Sequence, residues 1–286
     1  MNYIANSIKK ILFISRPKFW LYTAGPYLIG YLAAIKDPTQ LLTPSFIVNT
    51  LFFLIPANIF LYGINDFFDR DTDAVNVKKG TKEFLMKKQD EQWLMMALFI
   101  VLAISALLLF LQQYLLTSAL LVVFIFLSYA YSAPPFRFKA RPLIDSFSNV
   151  LYIIPGIIGY TQVTNTLPDP TFIAAGLFWV TAMHLFSAIP DITPDRNVGL
   201  ATTAVVYGKK LSLVFTSVLW GLCSFLVITS WQLFPVSLFT LIYPVIPLLL
   251  LEKTDEEISN VYWFFPYLNA FMGFILWVTI ALVQFL

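Results

Sequence analysis

Leu61-Tyr62-Gly63-Ile64-Asn65-Asp66-Phe67-Phe68-Asp69-Arg70-Asp71-Thr72-Asp73 joins two kinds of sequence that a water-soluble domain keeps apart. Upstream, residues 45–64 form an apolar run long enough to cross a bilayer. Downstream, a cluster of carboxylates follows without a break. If the helix continues past residue 64, Asn65, Asp69 and Asp73 stack on one face at i, i+4 steps, with Asp66 beside them. The fold is therefore expected to be a bundle of membrane helices with acidic groups at one end.

The rest of the chain agrees. Its 286 residues are 59% hydrophobic and 12% charged, and the mean hydropathy is +0.77. A soluble domain of this length cannot hide so much apolar surface, so lipid is the expected solvent. A net charge of +2 is too small to suggest a nucleic-acid partner. One cysteine, Cys223, excludes an internal disulfide and a cysteine-built metal site. Nine segments reach spanning length: 17–35, 45–64, 93–111, 115–132, 145–163, 171–189, 211–230, 233–250 and 261–284. These read as one all-α integral membrane domain over 1–286. The apolar stretch between Lys10 and Arg16 is too short for a cleavable signal. Ile4, Ile8, Ile11 and Leu12 share a stripe, so residues 1–15 read as a segment lying on the membrane surface.

Nine spans put the termini on opposite sides. Of 18 lysines and arginines, all but Lys36 then fall in the N-terminal tail or in the loops after even-numbered spans. By the positive-inside rule those loops and the N-terminus are cytoplasmic, and the C-terminus is not. Among the acids only Asp37 and Asp169 lie on the other face. Chemistry is expected on the charged face.

The sixth span ends in Pro190-Asp191-Ile192-Thr193-Pro194-Asp195-Arg196, which repeats the four-residue acidic spacing at the same membrane face. Pro190 is expected to break or kink the helix there. Carboxylates gathered without His or Cys suit a hard cation, and Mg²⁺ is the natural one where phosphates complete its shell. Asp66, Asp69, Asp73, Asp191 and Asp195 are the candidate metal ligands, with Asn65 assisting. Mg²⁺ bridging both clusters to a pyrophosphate would neutralise the leaving group and let a C–O bond ionise. The alternative is a set of solvated acids that cap helices or balance nearby lysines. In Tyr131-Ser132-Ala133-Pro134-Pro135-Phe136-Arg137-Phe138-Lys139 an extended stretch would point Arg137 and Lys139 the same way, towards pyrophosphate oxygens. Lys78, Lys79 and Arg196 are further candidates, and Arg16 and Lys18 weaker ones. Ordinary positive-inside topology explains any of these cations equally well.

The Asn65-xxx-Asp69-xxx-Asp73 run, the Asp191-xxx-Asp195 run and the Tyr131–Lys139 loop, in this order and spacing, resemble the UbiA-type membrane prenyltransferases. The resemblance implies nine helices around a central cavity, the two Asp motifs facing each other over Mg²⁺, and an isoprenyl pyrophosphate donor whose tail runs into the membrane. Ser15-Arg16-Pro17-Lys18-Phe19-Trp20 with Ala24-Gly25-Pro26, and Met183-His184 through Asp191, resemble the lycopene-elongase branch. That branch implies dimethylallyl pyrophosphate as donor and lycopene ends as acceptor. Two other readings stay open: a quinone precursor or glycerol-phosphate lipid as acceptor, and a cation transporter. A transporter should hold its ionisable groups near the bilayer midplane, where this sequence has few. His184, the single histidine, reads either as a proton acceptor facing the site or as a hydrogen-bonding partner of a neighbouring helix. Asn58 is open in the same way.

The topology has a direct check. A reporter fused after Leu286 is expected to be active only on the non-cytoplasmic side, and activity in the cytoplasm would mean a miscounted span.

Overall fold

The structure is a computed structural model that describes residues 9–73, 84–230 and 233–286, with the side chains of 71–73 outside the description. The described residues are helices, turns and connecting loops. In chain order the helices are α1 (Leu21–Ala34), α2 (Pro44–Leu54), α3 (Pro56–Asp73), α4 (Glu91–Leu111), α5 (Leu115–Ser132) and α6 (Ile144–Phe147). They continue as α7 (Ile154–Thr164), α8 (Pro170–Ala188), α9 (Ile192–Asn197), α10 (Thr203–Thr229), α11 (Ile242–Leu249) and α12 (Asp255–Phe285).

Each of the nine expected segments is helical in whole or in part among the described residues. Six of them are helices long and apolar enough to cross a membrane. The other three are shorter or jointed: α1, the α6–α7 segment with 3-10 turns between its halves, and the run Val236–Leu249 ending in α11. The outward faces match a lipid solvent, since Phe99, Phe110 and Leu115 are 72%, 87% and 86% exposed.

Boundaries differ from the hydropathy reading in three places. α3 carries on to Asp73, well past residue 64, and brings the first acidic run onto the helix. α10 begins at Thr203 rather than 211, with Gly208 in a non-helical conformation (φ 74°) joining its two parts. α12 begins at Asp255, capped by Thr254 and Glu257 in a reciprocal box. Hydropathy misses all three because polar helix ends extend beyond the apolar stretch. Residues 9–14 are helical, and Ile14 is fully buried while Lys10 Nζ pairs with Asp90 Oδ1 at 2.6 Å. This part of the N-terminal segment therefore docks on the start of α4; residues 1–8 lie outside the described residues.

The proline breaks are satisfied from within. Pro56 has no N–H to continue the helix, so α2 and α3 meet at a break. Asn58 Nδ2 lies 2.9 Å from the Phe53 carbonyl and 3.0 Å from that of Leu54. Thr23 Oγ1 donates to Phe53 O at 2.6 Å and is itself 2.7 Å from Asn58 Nδ2. Asn58 and Thr23 are both fully buried. Asn58 thus serves the helix joint and α1, and it does not line the cavity described below. At Pro190 the chain tightens into a 3-10 turn, Ile189–Asp191, before restarting as α9.

Two apolar cores form. One packs residues of α1–α5 and α7 around Tyr27, Phe53 and Phe124; the other packs α8 to α12 around Phe186, Trp220 and Phe265. Tyr22 and Tyr262 touch both. Within the first core α1 and α7 approach backbone to backbone, because a Cβ on Gly30 would fall 1.9 Å from the Gly156 carbonyl oxygen. On Gly159 it would fall 2.5 Å from the Tyr27 oxygen.

Gly30→Ala is therefore expected to force these helices apart at a cost of about 1–3 kcal/mol, the usual range for overpacking. Thermal unfolding of the detergent-solubilised protein should show a lowered midpoint. Gly25→Ala, where a Cβ meets nothing within 4 Å, should leave the midpoint near wild type.

Candidate active site

Helix α3 turns its Asn65–Asp69 face into a cavity of about 1090 Å³ between the two cores. Asn65 Nδ2 donates to Asp69 Oδ2 at 2.8 Å and to Ser132 Oγ, at the end of α5, at 2.9 Å. Lys139 reaches the same Asp69 oxygen from the loop after α5 and forms an ion pair with it. Asp69 is 3% exposed, so its charge is stabilised by these partners rather than by water.

Asp66 points elsewhere. It is fully buried, does not line the cavity, and accepts from Arg16 Nη2 at 3.2 Å. Arg16 does line the cavity, with its guanidinium 4.5 Å from the centroid of the Tyr62 ring. Its backbone is left-handed (φ 50°), a conformation that turns the chain just before the Pro17–Phe19 turn and α1.

The second acidic run arrives from the other core. Asp191, closing the 3-10 turn after α8, and Asp195, on α9, both line the cavity. Asn65, Asp69, Lys139, Asp191 and Asp195 are thus brought to one cavity, and Arg16 joins them. The remaining candidates fall elsewhere. Arg137 is half-buried with a left-handed backbone (φ 42°), and a 3-10 turn, Phe138–Ala140, follows it. The expected extended stretch is absent, so Lys139 lines the cavity and Arg137 does not. Arg196 is exposed and off the cavity wall. Lys18 donates to the Trp263 carbonyl at 2.6 Å, against α12. The Asp73 side chain and all of Lys78 and Lys79 lie outside the described residues.

Among the described residues no three His, Cys, Asp or Glu side chains gather closely enough to form a metal cage by themselves. Mg²⁺ does not need one. It usually takes one or two carboxylates and completes its octahedron with substrate phosphates and water. Asp69, Asp191 and Asp195, all hard oxygen donors at one end of one cavity, fit that mode of binding.

From the charged end the cavity runs the length of the helices to Pro168, Asp169 and Gln284. α8 alone has 19 residues, roughly 28 Å at 1.5 Å per residue. Between the two ends no charged residue lines the wall among the described residues. Aromatic rings do, including Tyr22, Tyr152, Trp179, Trp220, Tyr243 and Trp277. Asn269 of α12 holds two of them, accepting from Tyr243 Oη at 2.8 Å and donating to Tyr22 Oη at 2.9 Å. At the far end Asp169 caps α8 by accepting from Thr171 N at 2.7 Å, a bond that holds its carboxyl below the usual range. His184 lines the cavity between the ends, edge-on to the Tyr131 ring with centroids 5.9 Å apart.

Arg16, a weaker candidate in the sequence, lines the cavity, and so does Asn269, which was not among the candidates. The signal for Arg16 was its position immediately before the first span on the acidic face. Asn269 was visible only as one amide inside an apolar segment.

Known proteins resemble this chain in sequence and in fold. The sequence model of the UbiA prenyltransferase family matches residues 23–265. A lycopene elongase/hydratase of Haloarcula japonica is 38% identical over 267 residues, covering 93% of this chain and 88% of that protein. One from Corynebacterium glutamicum is 33% identical over 286 residues, covering 96% and 97%. In three dimensions a UbiA homolog from Archaeoglobus fulgidus, solved bound to GPP and Mg²⁺, superposes with a TM-score of 0.70 at 21% identity, covering 93% of this chain and 99% of that one. With its long apolar helices and this match across most of its length, the chain is a multi-pass membrane protein that belongs to the UbiA prenyltransferase family.

Proposed function

We propose that this prenyltransferase moves a dimethylallyl group from its pyrophosphate to an end of lycopene, with Mg²⁺ at the charged end of the cavity. The observation that carries this reading is the distribution of charge. Charged side chains line the two ends of one long cavity, and an uncharged, aromatic wall joins them. A pyrophosphate head matches the end with Arg16 and Lys139, and a long hydrocarbon acceptor matches the wall. An aromatic acid or a glycerol phosphate brings a second anion, which needs its own partner when buried. Arg16 and Lys139 are the cations lining the cavity among the described residues, and the pyrophosphate claims both. The names of these relatives, lycopene elongase/hydratase, support the same acceptor.

The residues divide the work. Asp69, Asp191 and Asp195 would hold Mg²⁺, with Asn65 fixing the Asp69 carboxylate through its amide. Asp73, one turn beyond Asp69 on α3, would extend this set, and Lys79 would join the pyrophosphate binders. When bound, Mg²⁺ neutralises charge on the pyrophosphate and makes it a better leaving group. Lys139 exchanges its contact with Asp69 for one with a phosphate oxygen, and Arg16 adds a planar donor, oriented by Asp66. Aromatic faces stabilise the allylic cation, and the apolar wall keeps bulk water from hydrolysing it. Asp66, Arg137 and Arg196 stand outside the ligand set in this scheme.

The same charge pattern supports nine crossings, made by the six long helices and the three shorter or jointed segments. The N-terminus and the charged end of the cavity then face the cytoplasm, as the positive-inside count requires.

Membranes containing the protein, supplied with lycopene, dimethylallyl pyrophosphate and Mg²⁺, are expected to yield lycopene plus one or two C5 units by mass spectrometry. Asp191→Ala should lower that rate by about two orders of magnitude or more, the scale of removing one electrostatic stabiliser, while the protein still folds. Unchanged lycopene alongside a prenylated aromatic acid or glycerol phosphate would overturn the acceptor assignment.

A further inference from the structure

An ionisable side chain at membrane depth is a functional candidate by default. His184 is half-buried on the cavity wall. Among the described residues its imidazole has no hydrogen-bond partner. The side-chain hydrogen bond at this position goes to its backbone, with Ser187 Oγ donating to the His184 carbonyl at 2.7 Å. The reading of His184 as a tie to a neighbouring helix therefore fails, and the ring is turned to the cavity. It stands edge-on to Tyr131 at an interplanar angle of 86°. Helix α6, which carries Asp145, packs against α8. That carboxylate is fully buried and fixed by the backbone N–H groups of Ser146 (2.8 Å) and Thr203 (2.7 Å).

Depth fits the chemistry. His184 precedes Asp191 by about two helical turns, roughly 10 Å along the axis. This is where the hydrocarbon of an anchored isoprenyl pyrophosphate begins. Alkylation leaves one charge to dispose of there. The C–O bond breaks with its electron pair going to the pyrophosphate. The π pair of the acceptor alkene forms the new C–C bond to the allylic carbon. The neighbouring acceptor carbon is left cationic, and it can be quenched only by releasing a proton.

We infer that His184 is the catalytic base that receives this proton, a role that rests on the prenyl-transfer reading above. The proton has two sources with one chemistry. It leaves a C–H bond next to the cationic carbon, whose electron pair becomes a new C=C bond. Alternatively it leaves a water molecule whose oxygen bonds to that carbon and gives a tertiary alcohol. Ser187, Asn149 and Tyr131 line the same cavity and offer polar groups for such a water. In both cases the imidazole nitrogen gains the proton.

The test uses the purified full chain with Mg²⁺, dimethylallyl pyrophosphate and whichever acceptor the wild-type protein extends. Failure of the lycopene assignment then appears in the wild type, and failure of the base assignment only in the variants. Extended product per pyrophosphate released is measured for wild type, H184Q and H184A. The expected result is pyrophosphate release within about threefold of wild type and product per pyrophosphate at least tenfold lower in both variants, a modest share of what a general base supplies. Added imidazole should restore product formation in H184A. Reactions in ¹⁸O-labelled water separate the two proton sources, since only the alcohol carries the label. Wild-type coupling in either variant would overturn the inference. Equal loss of release and product, without imidazole rescue, would also overturn it by showing a structural role.

Discussion

A carboxylate at the end of a hydrocarbon-lined cavity is stable only if something nearby answers its charge, and the charged end of this protein is organised by that requirement. Asp69 is answered by Lys139 and Asn65, and Asp66 by Arg16. The partners come from distant parts of the chain: the N-terminal segment before α1, helix α3 and the loop after α5. Leaving one member of a buried pair uncompensated costs about 3–5 kcal/mol. Folding is therefore strongly biased to the arrangement in which these segments meet. The ion pairs that hold the site together are also those a polyanionic substrate can exchange. One set of contacts can thus serve both stability and binding.

The cavity below the charged end lies in a bundle whose helices are interrupted. The interruptions fall at Pro56, between α6 and α7, and at Pro190. Irregular backbone at membrane depth survives only where protein satisfies its polar groups. Thr23 and Asn58 do this at the α2–α3 joint. Opposite these joints, Gly30 and Gly156 let α1 and α7 close at backbone distance. The cavity thus has a close backbone seam between α1 and α7 and aromatic rings along its wall.

Much of this was legible in the sequence, and the exceptions have physical causes. The apolar runs located the spans, and the two four-residue acidic spacings located the charged end. Helix starts were misplaced at α10 and α12 because their first turns are polar, whereas the acidic stripe already supposed that α3 continues through Asp73. Asn58 read equally well as cavity lining or helix tie, and only the carbonyls left bare by Pro56 decide between them. Arg16 and Arg137 adopt left-handed backbones that residues other than glycine seldom take. No local pattern announced either turn. Those two turns decide that Arg16 and Lys139 line the cavity while Arg137 does not. The pairing of Arg16 with Asp66 spans 50 residues of sequence and exists only once the first core has packed.

The central claim is that one end of a single cavity holds the pyrophosphate and Mg²⁺ while the uncharged wall takes the hydrocarbon. A structure of the protein with Mg²⁺ and a non-ionising thio-analogue of dimethylallyl pyrophosphate tests this most directly. The account predicts Mg²⁺ in contact with Asp69 and with Asp191 or Asp195, Lys139 moved from Asp69 to a phosphate oxygen, and the C5 chain directed towards His184. Analogue bound away from these carboxylates, or Lys139 still paired with Asp69 in the occupied site, would contradict it.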